Sequence, residues 1–154
     1  MKHNTSIHIY NWSKRTLVNN SNGKYQYEKP LPPDPKSTGI QGEELACRFL
    51  QGKGYHILDR NFRHDRYELD IVARDGSTVV FCEVKTARTG KFGPATSWVT
   101  PEKTKRIARA AEDYIAVKEL SGIEFRFDVI GIEVVDNDRL INHIENAFMA
   151  PEGA

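Results

Sequence analysis

Two cysteines among 154 residues, Cys47 and Cys82, are too few for a disulfide framework, and neither belongs to a CxxC pair. Both fall within apolar patterns, where a free cysteine behaves as a small buried hydrophobe. No apolar run approaches the roughly 20 residues that carry a helix across a bilayer. No apolar core follows the early positive charge, as a secretory signal would need. These absences predict a cytoplasmic protein in a reducing setting, with no membrane partner. A large excess of one charge is also missing. The 22 basic and 21 acidic side chains leave a net charge of +1, which excludes a simple polybasic or polyacidic chain. The length suits one compact domain and is short for two.

The near-neutral total conceals an asymmetry. Residues 48–109 carry thirteen Lys/Arg against seven Asp/Glu, whereas residues 110–154 carry three against ten. A basic middle suits one face of a nucleic-acid site, although blocks of sequence need not become faces of a surface. Residues 1–38 differ again, being rich in Asn, Ser, Lys and Tyr and closing with Pro30-Leu31-Pro32-Pro33-Asp34-Pro35. Without a sustained period, this stretch reads as a mostly disordered or loosely docked extension. Its aromatics Tyr10, Trp12, Tyr25 and Tyr27 interleave with Lys14, Arg15, Lys24 and Lys29. That mixture suits stacking on bases and equally suits packing against the domain or a second subunit.

The domain is expected over residues 39–148, with 149–154 as a tail. From Gln41 to Lys53, Leu45, Ala46, Phe49 and Leu50 recur at helical spacing, and Gly52 and Gly54 supply the stop. Strands are predicted at Tyr55–Phe62 and Glu68–Ala73, then a hairpin at Asp75-Gly76 and a central strand over Thr78–Thr86. Gly90, Gly93 and Pro94 mark residues 87–99 as a loop. A second helix opens with Thr100 as N-cap and Pro101 at its first position, running to about Glu119. Strands at Phe125–Val135 and Leu140–Glu145 complete an α-β-β-β-α-β-β order, an α/β fold with a mixed central sheet flanked by helices.

Glu68-Leu69-Asp70 and Glu83-Val84-Lys85 carry the chemistry. Side chains alternate along a strand, so Glu68 and Asp70 share one face, as do Glu83 and Lys85, and the hairpin brings the two strands side by side. Converging carboxylates repel unless a cation lies between them, and oxygen-only ligands suit Mg²⁺ or Mn²⁺. A lysine two residues beyond a ligating Glu can orient a water or stabilise developing negative charge. A surface ion pair between Glu83 and Lys85 is the plainer alternative. Yet Val79, Phe81, Cys82 and Val84 surround that pair, and charges within so apolar a strand need partners. Glu43 lies on the inward stripe of the first helix with Ala46, Cys47 and Leu50, while Glu44 pairs outward with Arg48 at i+4. Lys103 faces inward at the start of its helix, positioned for a phosphate or for ordinary snorkelling. Arg60, Arg63, Arg66 and Arg88 are candidates for a phosphate track beside the acids. His56 and His64 lack metal-ligand spacing, Asp128 is expected to pair with a neighbouring Arg or cap a sheet-end hydrogen bond, and Trp98 reads as a core or staple residue.

Four segments occur in one order and spacing: Gly42-Glu43-Glu44-Leu45-Ala46, Gly54-Tyr55-His56-Ile57-Leu58-Asp59-Arg60-Asn61-Phe62-Arg63, Glu68-Leu69-Asp70-Ile71-Val72-Ala73 and Phe81-Cys82-Glu83-Val84-Lys85-Thr86. Together they resemble the YraN-like family of small bacterial proteins. That family is similar to the Holliday-junction-resolvase branch of the restriction-endonuclease-like, or PD-(D/E)xK, nucleases. The match covers about residues 39–148. The resemblance implies a restriction-endonuclease-like core and a Mg²⁺- or Mn²⁺-dependent endonuclease acting on DNA, including branched or structured DNA. It implies Asp70 and Glu83 as metal-binding acids, joined in holding the metal by Glu43, which matches the helix glutamate, and Lys85 as the catalytic lysine. It also implies supporting roles for Glu68 and Lys103. Two positions depart from the family pattern: Tyr67 replaces a usual Gly, and Ala87-Arg88 replaces an Arg directly after the Lys-Thr pair. Symmetric cutting of a branched substrate would favour a homodimer. The competing expectations are a nucleic-acid-binding module with the same fold and no turnover, and a protein–protein adaptor using the acidic C-terminal third or the N-terminal extension.

Overall fold

Helix α1 (Thr38–Gly52) forms because its apolar residues repeat at helical spacing, and it buries that stripe: Leu45, Ala46, Cys47, Phe49 and Leu50. Its stop is built by Gly54 at φ +91, where the Tyr55 N–H meets the Leu50 carbonyl at 3.0 Å and the Gly54 N–H meets that of Gln51 at 2.9 Å. In this computed structural model the described residues are 5–11, 17–19, 25–27, 38–88, 97–135 and 138–152. After α1 come β4 (His56–His64), β5 (Tyr67–Asp75), β6 (Thr78–Arg88), α2 (Pro101–Val117), β7 (Glu124–Val135) and β8 (Asp138–Phe148). This is the α-β-β-β-α-β-β order expected from the sequence, with boundaries moved by at most three residues. Before α1 lie β1 (Thr5–Asn11), β2 (Leu17–Asn19) and β3 (Tyr25–Tyr27). Trp12, Lys14, Arg15, Lys24, Lys29 and the segment from Pro30 to Pro35 lie outside the described residues, as do Gly90, Gly93 and Pro94.

The central sheet is mixed, in the order β1-β8-β7-β6-β5-β4, and β2 and β3 form a separate antiparallel pair. All neighbours in the sheet are antiparallel except β6 and β7, which run parallel because α2 carries the chain back between them. The hairpin predicted at Asp75-Gly76 is present: Asp75 pairs with Thr78, and Gly76 takes φ +59. β6 reads as apolar on both faces because both faces are covered. Val80 and Cys82 pack under α1 with Ile71, Ala73, Ile130 and Ile132. Val79 and Phe81 pack under α2 with Ile107, Ala111, Tyr114 and Phe127. No helix among the described residues is long and apolar enough to cross a membrane.

The α1 face also buries charge. Asp128 is fully enclosed on β7 and receives the Arg126 guanidinium at 3.0 Å, His143 Nε2 at 2.9 Å and the Asn146 N–H at 3.1 Å. Arg126 reaches on to Asp75 at 3.0 Å and to the Tyr55 hydroxyl at 2.6 Å. Lys53 meets His143 Nδ1 at 2.9 Å and Glu145 at 2.8 Å. An ammonium can only donate, so His143 accepts at Nδ1 and donates its Nε2–H to Asp128. The neighbouring arginine expected for Asp128 is therefore Arg126, two residues before it. Burial opposes ionisation of Asp128, but hydrogen bonds from His143 and Arg126 outweigh it and hold the carboxyl below its usual range. A depressed carboxyl stabilises the fold above its unfolded pKa, and that contribution disappears as pH falls through the folded value. Asp128→Ala takes from half-buried Arg126 and buried His143 the carboxylate that both meet. It should lower unfolding free energy by about 3–5 kcal/mol at pH 7 in urea denaturation, with the gap to wild type narrowing below pH 4.

Candidate active site

The β5–β6 ladder runs from Asp75↔Thr78 to Ile71↔Cys82 and ends there. One step further the register would set Asp70 opposite Glu83. Instead, Asp70 Oδ2 accepts the Val84 N–H at 2.8 Å, a side chain standing in for a main-chain acceptor. Leu69 and Val72 both pack on the α2 side while Ile71 packs on the α1 side, so the period of two breaks at Asp70. Strict alternation, on which Glu68 and Asp70 were expected to share a face, does not hold through this point.

Glu83 is 4% exposed and follows Val79 and Phe81 on the α2 side of β6. Its Oε1 receives two ammonium groups, Lys85 Nζ at 3.2 Å and Lys103 Nζ at 3.1 Å. Lys103 arrives from α2, whose start is set by Pro101 and by the Thr100 hydroxyl accepting the Lys103 N–H at 3.2 Å. Lys103 thus faces inward as its position four residues before Ile107 predicts. Two cations on one buried carboxylate answer the cost of burying that charge. Asp70 is treated differently. Burial, and then the charge of Glu83, push its carboxyl up to about 7, against the Val84 hydrogen bond and the field of Lys103.

Glu43 approaches from the opposite face. A Cβ on Gly42 would run into the Thr86 hydroxyl on β6, so glycine is what lets the start of α1 settle there. From this position the charge of Glu43 also pushes the Asp70 carboxyl up. Among the described residues, however, no three His, Cys, Asp or Glu side chains gather closely enough to form a ready-made metal cage. The structure therefore brings together Asp70, Glu83, Lys85 and Lys103, with Glu43 contributing its field.

Glu68 does not join them. It pairs with Arg63, its register partner across β4–β5, at 3.0 Å on the open surface. Glu44 pairs with Arg48 as expected and also with Arg60, at 3.0 and 2.8 Å. Arg88 ends β6, and its side chain lies outside the described residues. Tyr67 packs against the α2-side core, its hydroxyl accepting from Arg66 at 3.1 Å. Trp98 occupies the space above Gly131, which neighbours Lys85 in the parallel register, and a Cβ on Gly131 would collide with the indole. The Trp98–Gly131 fit was missed in the sequence. Its only signal was a glycine inside an apolar strand, which marks a close approach.

The sequence model of the Uncharacterised protein family UPF0102 matches residues 42–132, from the Gly42 contact through all the site residues to the middle of β7. The chain belongs to the UPF0102 family. It is 46% identical over 126 residues to a UPF0102 protein of Chlorobium limicola, covering 78% of this chain and 98% of that one. It is 46% identical over 114 residues to UPF0102 protein GSU0650 of Geobacter sulfurreducens, covering 73% and 89%. A Geotalea uraniireducens UPF0102 protein is 47% identical over 116 residues, covering 75% and 91%. The YraN-like resemblance drawn from the four segments agrees with this membership. Among solved structures, the chain is similar to Pyrococcus furiosus SfsA in complex with Ca²⁺, at TM-score 0.36 and 15% identity. That match covers 73% of this chain, which spans 64% of the SfsA chain, under two thirds of its length.

A carboxyl raised on folding makes the folded state less stable as pH climbs from its unfolded pKa to its folded one. Asp70 thus costs stability between about pH 4 and pH 7, and the cost stays constant above that. Asp70→Asn keeps an oxygen for the Val84 N–H and removes the charge. It should raise Tm at pH 8 in metal-free buffer, by a free energy on the order of 1–3 kcal/mol, and leave Tm at pH 4 nearly unchanged.

Proposed function

We propose that this chain is a metal-dependent nuclease that hydrolyses phosphodiester bonds in DNA, including branched or structured DNA. The observation carrying the reading is half-buried Asp70 beside buried Glu83 at the end of the β5–β6 ladder, with Lys85 and Lys103 on one Glu83 oxygen. An acid on one strand and Glu-x-Lys on the next is also the pattern of the restriction-endonuclease-like resemblance.

The donor chemistry fits Mg²⁺ or Mn²⁺. Magnesium keeps several waters and takes one or two carboxylates together with substrate phosphates, so two acids meet its demand without a third. Asp70 and Glu83 would hold the cation, and the charge of Glu43 would strengthen the negative field around it. Bound there, the cation would supply Lewis-acid stabilisation of charge on the scissile phosphate. Lys85 then orients the attacking water, its ammonium held by Glu83. Lys103 would offer a second ammonium to a phosphate oxygen, and the Val84 N–H keeps Asp70 aimed. Symmetric cutting of a branched substrate calls for a homodimer. The setting we propose is the cytoplasm, in keeping with two buried free thiols, Cys47 and Cys82.

The test is cleavage of linear, flapped and four-way-junction DNA with Mg²⁺ and with Mn²⁺. Wild type should cut one or more of them, and Asp70→Asn and Lys85→Met, purified identically, should cut slower by about 100-fold or more. Equal rates for wild type and Asp70→Asn would remove the reading. DNA binding without any metal-dependent cutting would favour a binding module instead.

A further inference from the structure

The β4–β5 turn and the exposed side of α2 enclose a groove of about 650 Å³, lined by Asp65, Arg66, Tyr67, Lys105, Arg106, Arg109 and Asp113. Four of these seven are cations, and Arg66, Lys105, Arg106 and Arg109 are all exposed. Charges spread over an open helix face are ordinary, but these come from two separate elements and line one concavity. The Arg66 guanidinium lies over the Tyr67 ring, 5.3 Å from its centroid, and the Arg106 guanidinium reaches the Arg66 carbonyl at 3.5 Å. The two carboxylates leave an excess of positive charge. Asp113 is already engaged by His64 Nδ1 at 3.3 Å and by Arg109 at 4.0 Å, and Arg109 also meets Glu112 at 3.2 Å.

Both walls of the groove belong to elements that also carry site residues. Tyr67 stands three residues before Asp70 on β5. Lys103, Arg106 and Arg109 follow one another at i+3 along α2, a line of about 9 Å along the helix axis. A line of cations starting at the ammonium on Glu83, with an aromatic ring on the facing wall, is chemistry for an extended phosphodiester strand. We propose that this groove is an anchoring site for the backbone of the DNA strand running away from the acid cluster, with Arg66, Arg106 and Arg109 on its phosphates. The proposal rests on the nuclease reading for its direction but not for its chemistry. It places binding outside the cleavage machinery, so the two can be separated by mutation.

The experiment is fluorescence-anisotropy titration of labelled single-stranded and duplex DNA of one sequence, in EDTA, from 50 to 200 mM salt. It compares wild type with the double variant Arg106→Ala/Arg109→Ala. Loss of two phosphate contacts should lower the salt slope by roughly 1.4 for the single strand and roughly 1.8 for the duplex. The lysine pair Arg106→Lys/Arg109→Lys should keep most of the slope. Arg74→Ala, an exposed arginine at the far end of β5, should bind as wild type. An unchanged slope in the alanine double variant, or absence of DNA binding by wild type, would overturn the proposal. Binding that falls in the groove variants while wild type cuts nothing would support the groove and sink the nuclease reading. Cutting and binding both unaffected by the groove variants would do the reverse.

Discussion

Glu83 is a carboxylate enclosed on the central strand of a sheet covered on both faces, and a buried charge without partners would cost several kcal/mol. Its enclosure therefore demands cations, and the fold delivers them from two places. Lys85 comes from the same strand, two residues on. Lys103 comes from α2, and only because Thr100 and Pro101 start that helix where its first inward residue meets Glu83. The parallel β6–β7 pairing requires a crossover, α2 is that crossover, and its N-terminus consequently sits at the acid end of β6. Topology and site electrostatics are thus one problem with one solution.

The sheet's other face solves a similar problem differently. There Asp128 is answered by Arg126 and His143, and the chain of contacts continues to Lys53, Glu145, Tyr55 and Asp75. Each of these groups has a protein partner, and Asp128 is held ionised. Asp70, beside Glu83, has its carboxyl pushed up to about 7 by burial and by the charge of Glu83. In one set Asp128 is held below its usual range; in the other Glu83 has its two ammonium groups while Asp70 is held above its usual range. Perturbed carboxyls of that second kind concentrate where chemistry is done.

Much of the fold was legible because periodicity is local. The α1 stripe, the Asp75-Gly76 hairpin, the two-faced apolar β6 and the Thr100-Pro101 helix start each depend on a few adjacent residues and survive in the structure. Within the site, Glu83, Lys85 and the inward Lys103 follow from the same spacing rules. Glu68 did not follow them. The alternation argument needs an unbroken strand, and β5 breaks its alternation at Asp70, leaving Glu68 to Arg63. Trp98 on Gly131 and His143 on Asp128 were hidden for another reason: each joins elements distant in the sequence, and no local pattern names the partner.

Spacing along the chain was enough for the elements from α1 to β8 and their order, for the family, and for the two acids and lysine on neighbouring strands, but not for β1. These are properties of spacing within a strand or a helix, or of segments in register. Only the tertiary structure decided which acids meet. It turned Asp70 to the Val84 N–H, left Glu68 outside, brought Lys103 onto Glu83 and lined a groove with arginines from a turn and a helix forty residues apart in the chain. Those outcomes depend on where the β5–β6 ladder ends and on how the crossover helix lies on the sheet. Both are set by the packing of the whole core, and no short stretch of sequence contains that information.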